Sequence, residues 1–495
     1  MRILQVVHEF PPEAWAGTEL VTLHLSQALQ ARGHEVTIFL RVADPAAEEL
    51  SVCEEQRYGL PIVTVVNNYT KTTSSRLTYD NAFFDDVFVQ LLERLQPDVV
   101  HFQHVAHLSV NLIPLARALG YPTVLSLHDF YFVCHRIHLV DSQQRLCAGP
   151  ERGERCVPCL QEHVPAETAR HRFPFMEQAL QAPDVVLTPS RFLEQRMLEY
   201  FPALRSRLRT VPLGVPRPVV PDREAYDASR PLRILYVGVL IPHKGAHVLL
   251  EALRGLPTDA FATSFYGMAL SGWQWYADRL AELAAGLPVH FRGVYAHEEL
   301  GPILAQHDVL VMPGICEETF SLMTREALLA GLPVIAARRG ALPEAVVDGE
   351  NGFLFEPENA DELRHLLSRL IEQPELCVQL QSQRLSVKTV DEYTDDMEAV
   401  YAELCATPRA AATLPQRLVA QQHELLALQR RNEQQQDELR TTAQTLREQE
   451  VRLGAIYDST TWRLYRGYET CVRFLKQTPF RQLRRWLLGT EKKPA

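Results

Sequence analysis

Short apolar runs alternate with helix-spaced segments through the first half of the chain, and after a proline-rich break the same alternation begins again. Residues 3–7, 36–40, 99–102 and 123–127 read as strands, with 20–29 at helical spacing and 185–188 as the expected last strand of this half. A strand that feeds a helix and then another strand makes a parallel sheet covered on both faces. Residues 212–231 are rich in proline and scattered charge, a linker composition. The pattern restarts at 233–238, continues with a helix over 246–253 and strands at 289–291, 309–312 and 334–336, and closes near a helix over 361–371.

Two such units in tandem predict an α/β fold of two Rossmann-like domains with a cleft between them, because ligands of open parallel sheets sit outside the carboxyl ends of the strands. The expected boundaries are 1–212, with a cysteine-bearing insertion at about 130–165, and 213–385. A helix over 386–408 is expected to cross back to the first domain, followed by a helical segment, 409–457, and a basic amphipathic tail, 458–495.

At 495 residues with 46% hydrophobic and 22% charged residues, the chain has the composition of an ordinary globular protein. Its net charge of -11 speaks against a general nucleic-acid binder, which needs a basic face to displace phosphate counterions. The N-terminus enters a strand pattern directly, without a secretory h-region, and no run approaches about 18 uninterrupted apolar residues. A cytoplasmic location with at most peripheral membrane contact is expected.

The segment from Pro313 to Ile335 carries Glu318 and Glu326, separated by seven residues across a strand-to-helix junction, and then Ala-Gly-Leu-Pro-Val-Ile leading into the next strand. Free amides at a helix start suit a diphosphate, and a glutamate further along can take ribose hydroxyls. By itself an acidic pair there could simply offset the helix dipole. The whole segment resembles the Glu-x7-Glu signature of retaining family-4 glycosyltransferases, which implies the GT-B architecture. It also implies that Glu318 contacts the transferred sugar, that Glu326 holds the ribose, and that the backbone of Phe320, Ser321, Leu322 and Met323 cradles the phosphates.

Other positions fit the same resemblance. Lys244, in the turn Gly238 to Gly245, is suited to neutralise the leaving nucleoside diphosphate. The family often has an arginine directly after the first glycine, where this chain has Val239, so His243 or a distant arginine is a candidate replacement. Gly17 fits the glycine-rich turn that approaches donor phosphates, with Ala16 where a second glycine is common. His128, closing the strand at 123–127, resembles the family position facing the reacting centre, although a strand-closing histidine is often only structural. The resemblance implies that the leaving phosphate itself accepts the acceptor's proton. With no Asp-x-Asp motif at a plausible site, no cofactor is implied for catalysis.

Cys134, Cys147, Cys156 and Cys159 fall within the insertion, the last two as Cys-Val-Pro-Cys. Four thiols in a short span suit a structural, tetrahedral zinc ion that stiffens the loop; disulfides or unrelated free thiols are the alternatives. Leu418, Leu425, Leu439, Leu446 and Leu453 keep heptad register with Asn432 between them, so a coiled coil and a homo-oligomer stand beside a solvated single helix. From Thr461 on, Arg463, Arg466, Arg473, Lys476, Arg481, Arg484, Arg485, Lys492 and Lys493 face only Glu469 and Glu491, a composition that suits an anionic membrane surface.

The expected function is retaining transfer from a nucleoside-diphosphate sugar, UDP first and GDP next, to a glycan or lipid-linked acceptor in surface polysaccharide or glycolipid assembly. A non-catalytic scaffold with a decayed transferase fold and a GT-B phosphorylase or epimerase remain alternatives.

Overall fold

A computed structural model describes residues 1–69, 75–161, 163–222, 226–227, 229–382, 387–406 and 435–452. The first sheet is built from β1 (Arg2–Val6), β2 (Glu35–Val42), β3 (Val52–Arg57), β4 (Leu60–Val66), β5 (Val99–Phe102), β6 (Thr123–Ser126), β7 (Val185–Thr188) and β8 (Leu208–Thr210). They lie in the order β3-β4-β2-β1-β5-β6-β7-β8. All neighbours are parallel except β3 and β4, which form an antiparallel hairpin at the edge. The chain therefore does not end this sheet at β7, because β8 adds in register beyond it, Val186 facing Leu208.

The second sheet holds β9 (Leu232–Val237), β10 (Phe261–Tyr266), β11 (Val289–Gly293), β12 (Val309–Met312), β13 (Val334–Ala337) and β14 (Gly352–Phe355), all parallel, in the order β11-β10-β9-β12-β13-β14. Strands β12 and β13 are almost wholly buried, which is why they read as continuous apolar runs rather than alternating ones. β14, inside a glycine-rich stretch that gives a weak strand signal, lies beyond the last strand expected from sequence.

In each sheet the strand order reverses once, between β1 and β5 and between β9 and β12, and a crevice opens at the carboxyl ends there. The helix Val390–Ala406 packs on the first sheet: Tyr393, Met397, Val400 and Tyr401 share one apolar cluster with Ile3, Leu25 and Val36. Its buried face is also polar in one place. Tyr401 Oη lies 2.7 Å from His101 Nδ1, and His101 Nε2 lies 2.8 Å from Ser126 Oγ. On the rim, Arg32 pairs with Asp395 and Glu398 at 2.6 Å each.

Residues 435–452 are helical and belong to a separate unit. Leu439 and Leu446 are 69% and 55% exposed there. The remaining heptad positions Leu418, Leu425, Asn432 and Leu453, and the basic tail 458–495, lie outside the described residues. No described helix is long and apolar enough to cross a membrane.

Candidate active site

β12 ends at Met312, and nine residues of loop lead to the helix Leu322–Leu329. Ser321 caps that helix from a left-handed conformation (φ 64°), its Oγ accepting from Thr324 N at 3.4 Å. Phe320, Ser321, Leu322 and Met323 line the cleft at this helix start, where unpaired amides and the dipole favour an anion.

Glu318 lies in the same loop and accepts from Lys244 Nζ at 2.5 Å. The register of that pair is fixed by backbone. His243 O accepts from Ile315 N at 2.8 Å, and a Cβ on Gly245 (φ 73°) would stand 1.9 Å from Pro313 O. The turn after β9 and the loop after β12 are thus in direct main-chain contact, which only glycine permits at position 245. Burial alone would raise the Glu318 carboxyl, but the Lys244 ammonium outweighs it and holds the group below its ordinary value. Burial would lower Lys244, and the Glu318 carboxylate lifts it above its ordinary range instead. Both groups are therefore charged near neutral pH, an ion pair at the floor of the cleft.

Glu326 follows about one turn into the helix, 6% exposed, and burial pushes its carboxyl up to about 7. His128 lies after β6, on the other side of the cleft, with Nε2 donating to Gln103 Oε1 at 2.8 Å. Burial first, and His104 second, lower its pKa to about 4, so its imidazole is neutral. Beside it Asp129 is held at about 2: burial opposes this, but His104, 3.2 Å away, dominates.

The two halves are tied across the cleft. Thr319 Oγ1 donates to His128 O at 2.6 Å, Ser190 Oγ to Thr319 O at 2.6 Å, and Arg196 Nε pairs with Glu317 at 3.1 Å. Gly17 faces Leu322 so closely that a Cβ there would meet its Cδ1 at 3.4 Å. The cleft between them measures about 860 Å³, and Gly17, His128, Lys244, Glu318, Phe320 and Glu326 all line it.

The described lining contains no arginine, and Val239 lines it at the position where the resemblance leads one to look for one. His243 does not replace that cation: it is 6% exposed, and burial, His138 and Lys244 lower its pKa to about 3. Cys134, Cys147, Cys156 and Cys159 are half-buried, unbridged thiols outside the lining. Sequence reasoning missed Thr319 and Asp129, although each stands next to a residue it singled out. It also missed His8, Glu9 and Glu19, which bring one ligand atom each within 4.8 Å of the others. No short-range spacing marks that group, since β1 and the helix Gly17–Ala31 meet only in the folded sheet.

A cleft assembled from the strand ends of two open parallel sheets defines the GT-B class. HepE of Anabaena, solved in complex with UDP-glucose, matches with a TM-score of 0.60 at 19% identity over 81% of this chain and 100% of that one. The chain belongs to the group 1 and family 4 glycosyltransferases: the model described as Glycosyl transferases group 1 matches residues 222–384, and Glycosyltransferase Family 4 matches 15–217.

Among relatives, the MMP alpha-(1->4)-mannosyltransferase of Mycolicibacterium hassiacum is 30% identical over 282 residues, 56% of this chain and 62% of that protein. The sulfoquinovosyl transferase of Arabidopsis thaliana is 25% identical over 297 residues, 55% of this chain. The chain spans 49% of that relative's length.

Proposed function

We propose that the protein is a retaining glycosyltransferase that moves a sugar from a nucleoside-diphosphate sugar to a hydroxyl of a glycan or lipid-linked acceptor. The observation that carries this reading is the Lys244–Glu318 pair at 2.5 Å, set directly before a helix start that lines the same cleft. The helix start at Phe320 to Met323 binds the diphosphate, and Gly17 lets the opposite backbone come close. Lys244 neutralises the charge that grows on the leaving diphosphate as the sugar bond breaks. Glu318 orients the transferred sugar, and ionised Glu326 accepts the ribose hydroxyls.

His128, neutral and fixed by Gln103, presents its ring to a sugar hydroxyl; the leaving phosphate takes the acceptor's proton on the same face of the sugar. With no arginine in the described lining, Lys244 carries the phosphate charge together with the helix amides. The donor is a UDP-sugar, with GDP-mannose the second choice, a ranking supported by the UDP-glucose complex of HepE and the mannosyl transfer in the relative's name.

The cytoplasmic face of a membrane, reached by the basic tail, suits a lipid-linked acceptor, and the heptad segment serves self-association.

The test is a thermal-shift series with UDP-, GDP- and ADP-sugars on the protein and on Glu326→Ala. A shift with UDP-sugars that disappears in the variant, and transfer products with the donor's anomeric configuration by NMR, support the reading. A protein that no sugar nucleotide stabilises, alone or with acceptor mixtures, speaks for the decayed scaffold.

A further inference from the structure

The insertion places its four cysteines on three local devices. Arg136 N donates to Cys134 Sγ at 3.3 Å, and Gly149 N donates to Cys147 Sγ at 3.4 Å, each an amide two residues on turned back to its own sulfur. The Cys147 thiol also reaches Gly149 O at 3.5 Å. Between these two turns runs a hairpin: Val140 bridges Leu146 antiparallel, and Cys147 N donates to Leu139 O at 2.7 Å. Cys156 and Cys159 share the helical turn Cys156–Leu160, three residues apart and so on one face.

These devices converge. Cys156 stands within electrostatic reach of Cys134, Cys147 and Cys159, so the turns and the helix bring the four thiols into one neighbourhood. Amide donors aimed at sulfur favour thiolate, while crowding and burial oppose four unshared negative charges. A soft divalent cation resolves that conflict, because it needs anionic sulfur ligands and neutralises them. The buried guanidinium of Arg172 acts on both Cys134 and Cys156 and offsets part of the remaining charge.

We propose that Cys134, Cys147, Cys156 and Cys159 bind one zinc ion as a tetrathiolate, and that this ion anchors the hairpin whose His138 and Gln144 seat against His243 beside the catalytic lysine. No three of the sulfurs lie within 4.8 Å of one another, whereas a tetrahedral site at about 2.3 Å per bond needs sulfurs about 3.8 Å apart. Metal binding therefore requires the four sulfurs to close up, and it releases the thiol protons. The tip contacts are in place: the His138 and His243 rings are 4.9 Å apart, and Gln144 Oε1 lies 3.4 Å from His243 Nδ1. His243 directly precedes Lys244, so the metal sets the turn that aims the ammonium. The metal site itself stands apart from the donor reading; the effect on Lys244 rests on it.

The experiment uses the full chain from zinc-supplemented culture, purified under reducing conditions without chelator. The expected result is one zinc per chain by mass spectrometry, with an absorption spectrum showing only sulfur neighbours at about 2.3 Å. The double variant Cys156→Ser/Cys159→Ser should lose the metal. If that variant does not fold, the wild-type spectrum decides.

A protein without stoichiometric zinc overturns the proposal, as do disulfides among these cysteines by intact mass. Zinc with nitrogen and oxygen neighbours, kept by the cysteine variant and lost in His8→Ala/Glu19→Gln, assigns the ion elsewhere and overturns it too. Stripping the zinc should weaken the donor-induced thermal shift several-fold in ligand concentration; an unchanged shift overturns the anchoring role alone. A zinc-loaded protein that no donor shifts counts against the transferase reading and leaves the metal site standing.

Discussion

Thr319 Oγ1 donates a 2.6 Å hydrogen bond to the backbone carbonyl of His128, joining the loop that bears Glu318 to the strand end that bears the opposing histidine. Together with the Ser190–Thr319 and Arg196–Glu317 contacts, it holds two groups borne by different sheets at a set distance. Thr319→Val removes the donor and keeps the shape. The expected outcome is a loss of about 1 kcal/mol, roughly five-fold in kcat/KM, with the thermal midpoint nearly unchanged. Steady-state kinetics beside calorimetry checks it.

Lys244→Met leaves the Glu318 carboxylate without its cation and, in the proposed reaction, the leaving diphosphate without its lysine. Transfer is expected to fall by about two to three orders of magnitude, the scale for losing one preorganised charge-stabilising group. Glu318→Gln should slow transfer as well while keeping donor binding largely intact. Single-turnover rates with donor Kd measured separately distinguish the two variants.

Glu326 gives a pH dependence of defined sign. Its folded pKa is raised to about 7 by burial, so between the ordinary glutamate value and 7 the folded state holds a proton that the unfolded state has lost. Its contribution makes stability fall as pH rises through that window and level off above it. Donor affinity should move the opposite way, rising toward pH 7 as the carboxylate forms to accept ribose hydroxyls. Glu326→Gln should flatten both profiles in denaturant melts and donor titrations.

Gly245→Ala places a Cβ 1.9 Å from the Pro313 carbonyl oxygen at a backbone φ of 73°. Both strain and clash oppose it, so destabilisation of about 2 kcal/mol or more is expected, together with loss of the Lys244–Glu318 geometry. Chemical denaturation and the transfer rate should decline together.

Tyr401→Phe removes one of the two partners of His101 Nδ1, Tyr401 Oη at 2.7 Å, and leaves Gln103 Nε2 at 3.2 Å, on a fully buried imidazole whose pKa burial lowers to about 3. Losing one buried hydrogen bond while a second partner remains costs about 1 kcal/mol. Urea unfolding of the variant should report that loss, with donor affinity unaltered because Tyr401 lies away from the cleft lining.

Parallel strands such as β12 and β13 were legible because burial on both faces writes an uninterrupted apolar run into the sequence. The helix start at Leu322 was legible from the strand-to-helix junction that surrounds the two glutamates. The edge hairpin β3–β4 was not, since edge strands are half-exposed and carry mixed residues: Val52–Arg57 reads Val-Cys-Glu-Glu-Gln-Arg. β8, three residues long with an exposed arginine at its centre, left no periodicity to detect.

The amino-acid order alone determined the two α/β units, the glutamate pair and the thiol cluster, because each depends on residues close together in the chain. Tertiary structure decided which distant groups meet. Lys244 and Glu318 lie 74 residues apart, and Thr319 and His128 lie 191 apart. Their pairing follows from the order in which parallel strands assemble and from main-chain contact at Gly245. The charge states of Glu318, Glu326 and His243 were likewise decided by burial and neighbours, which exist only once the sheets have closed over the cleft.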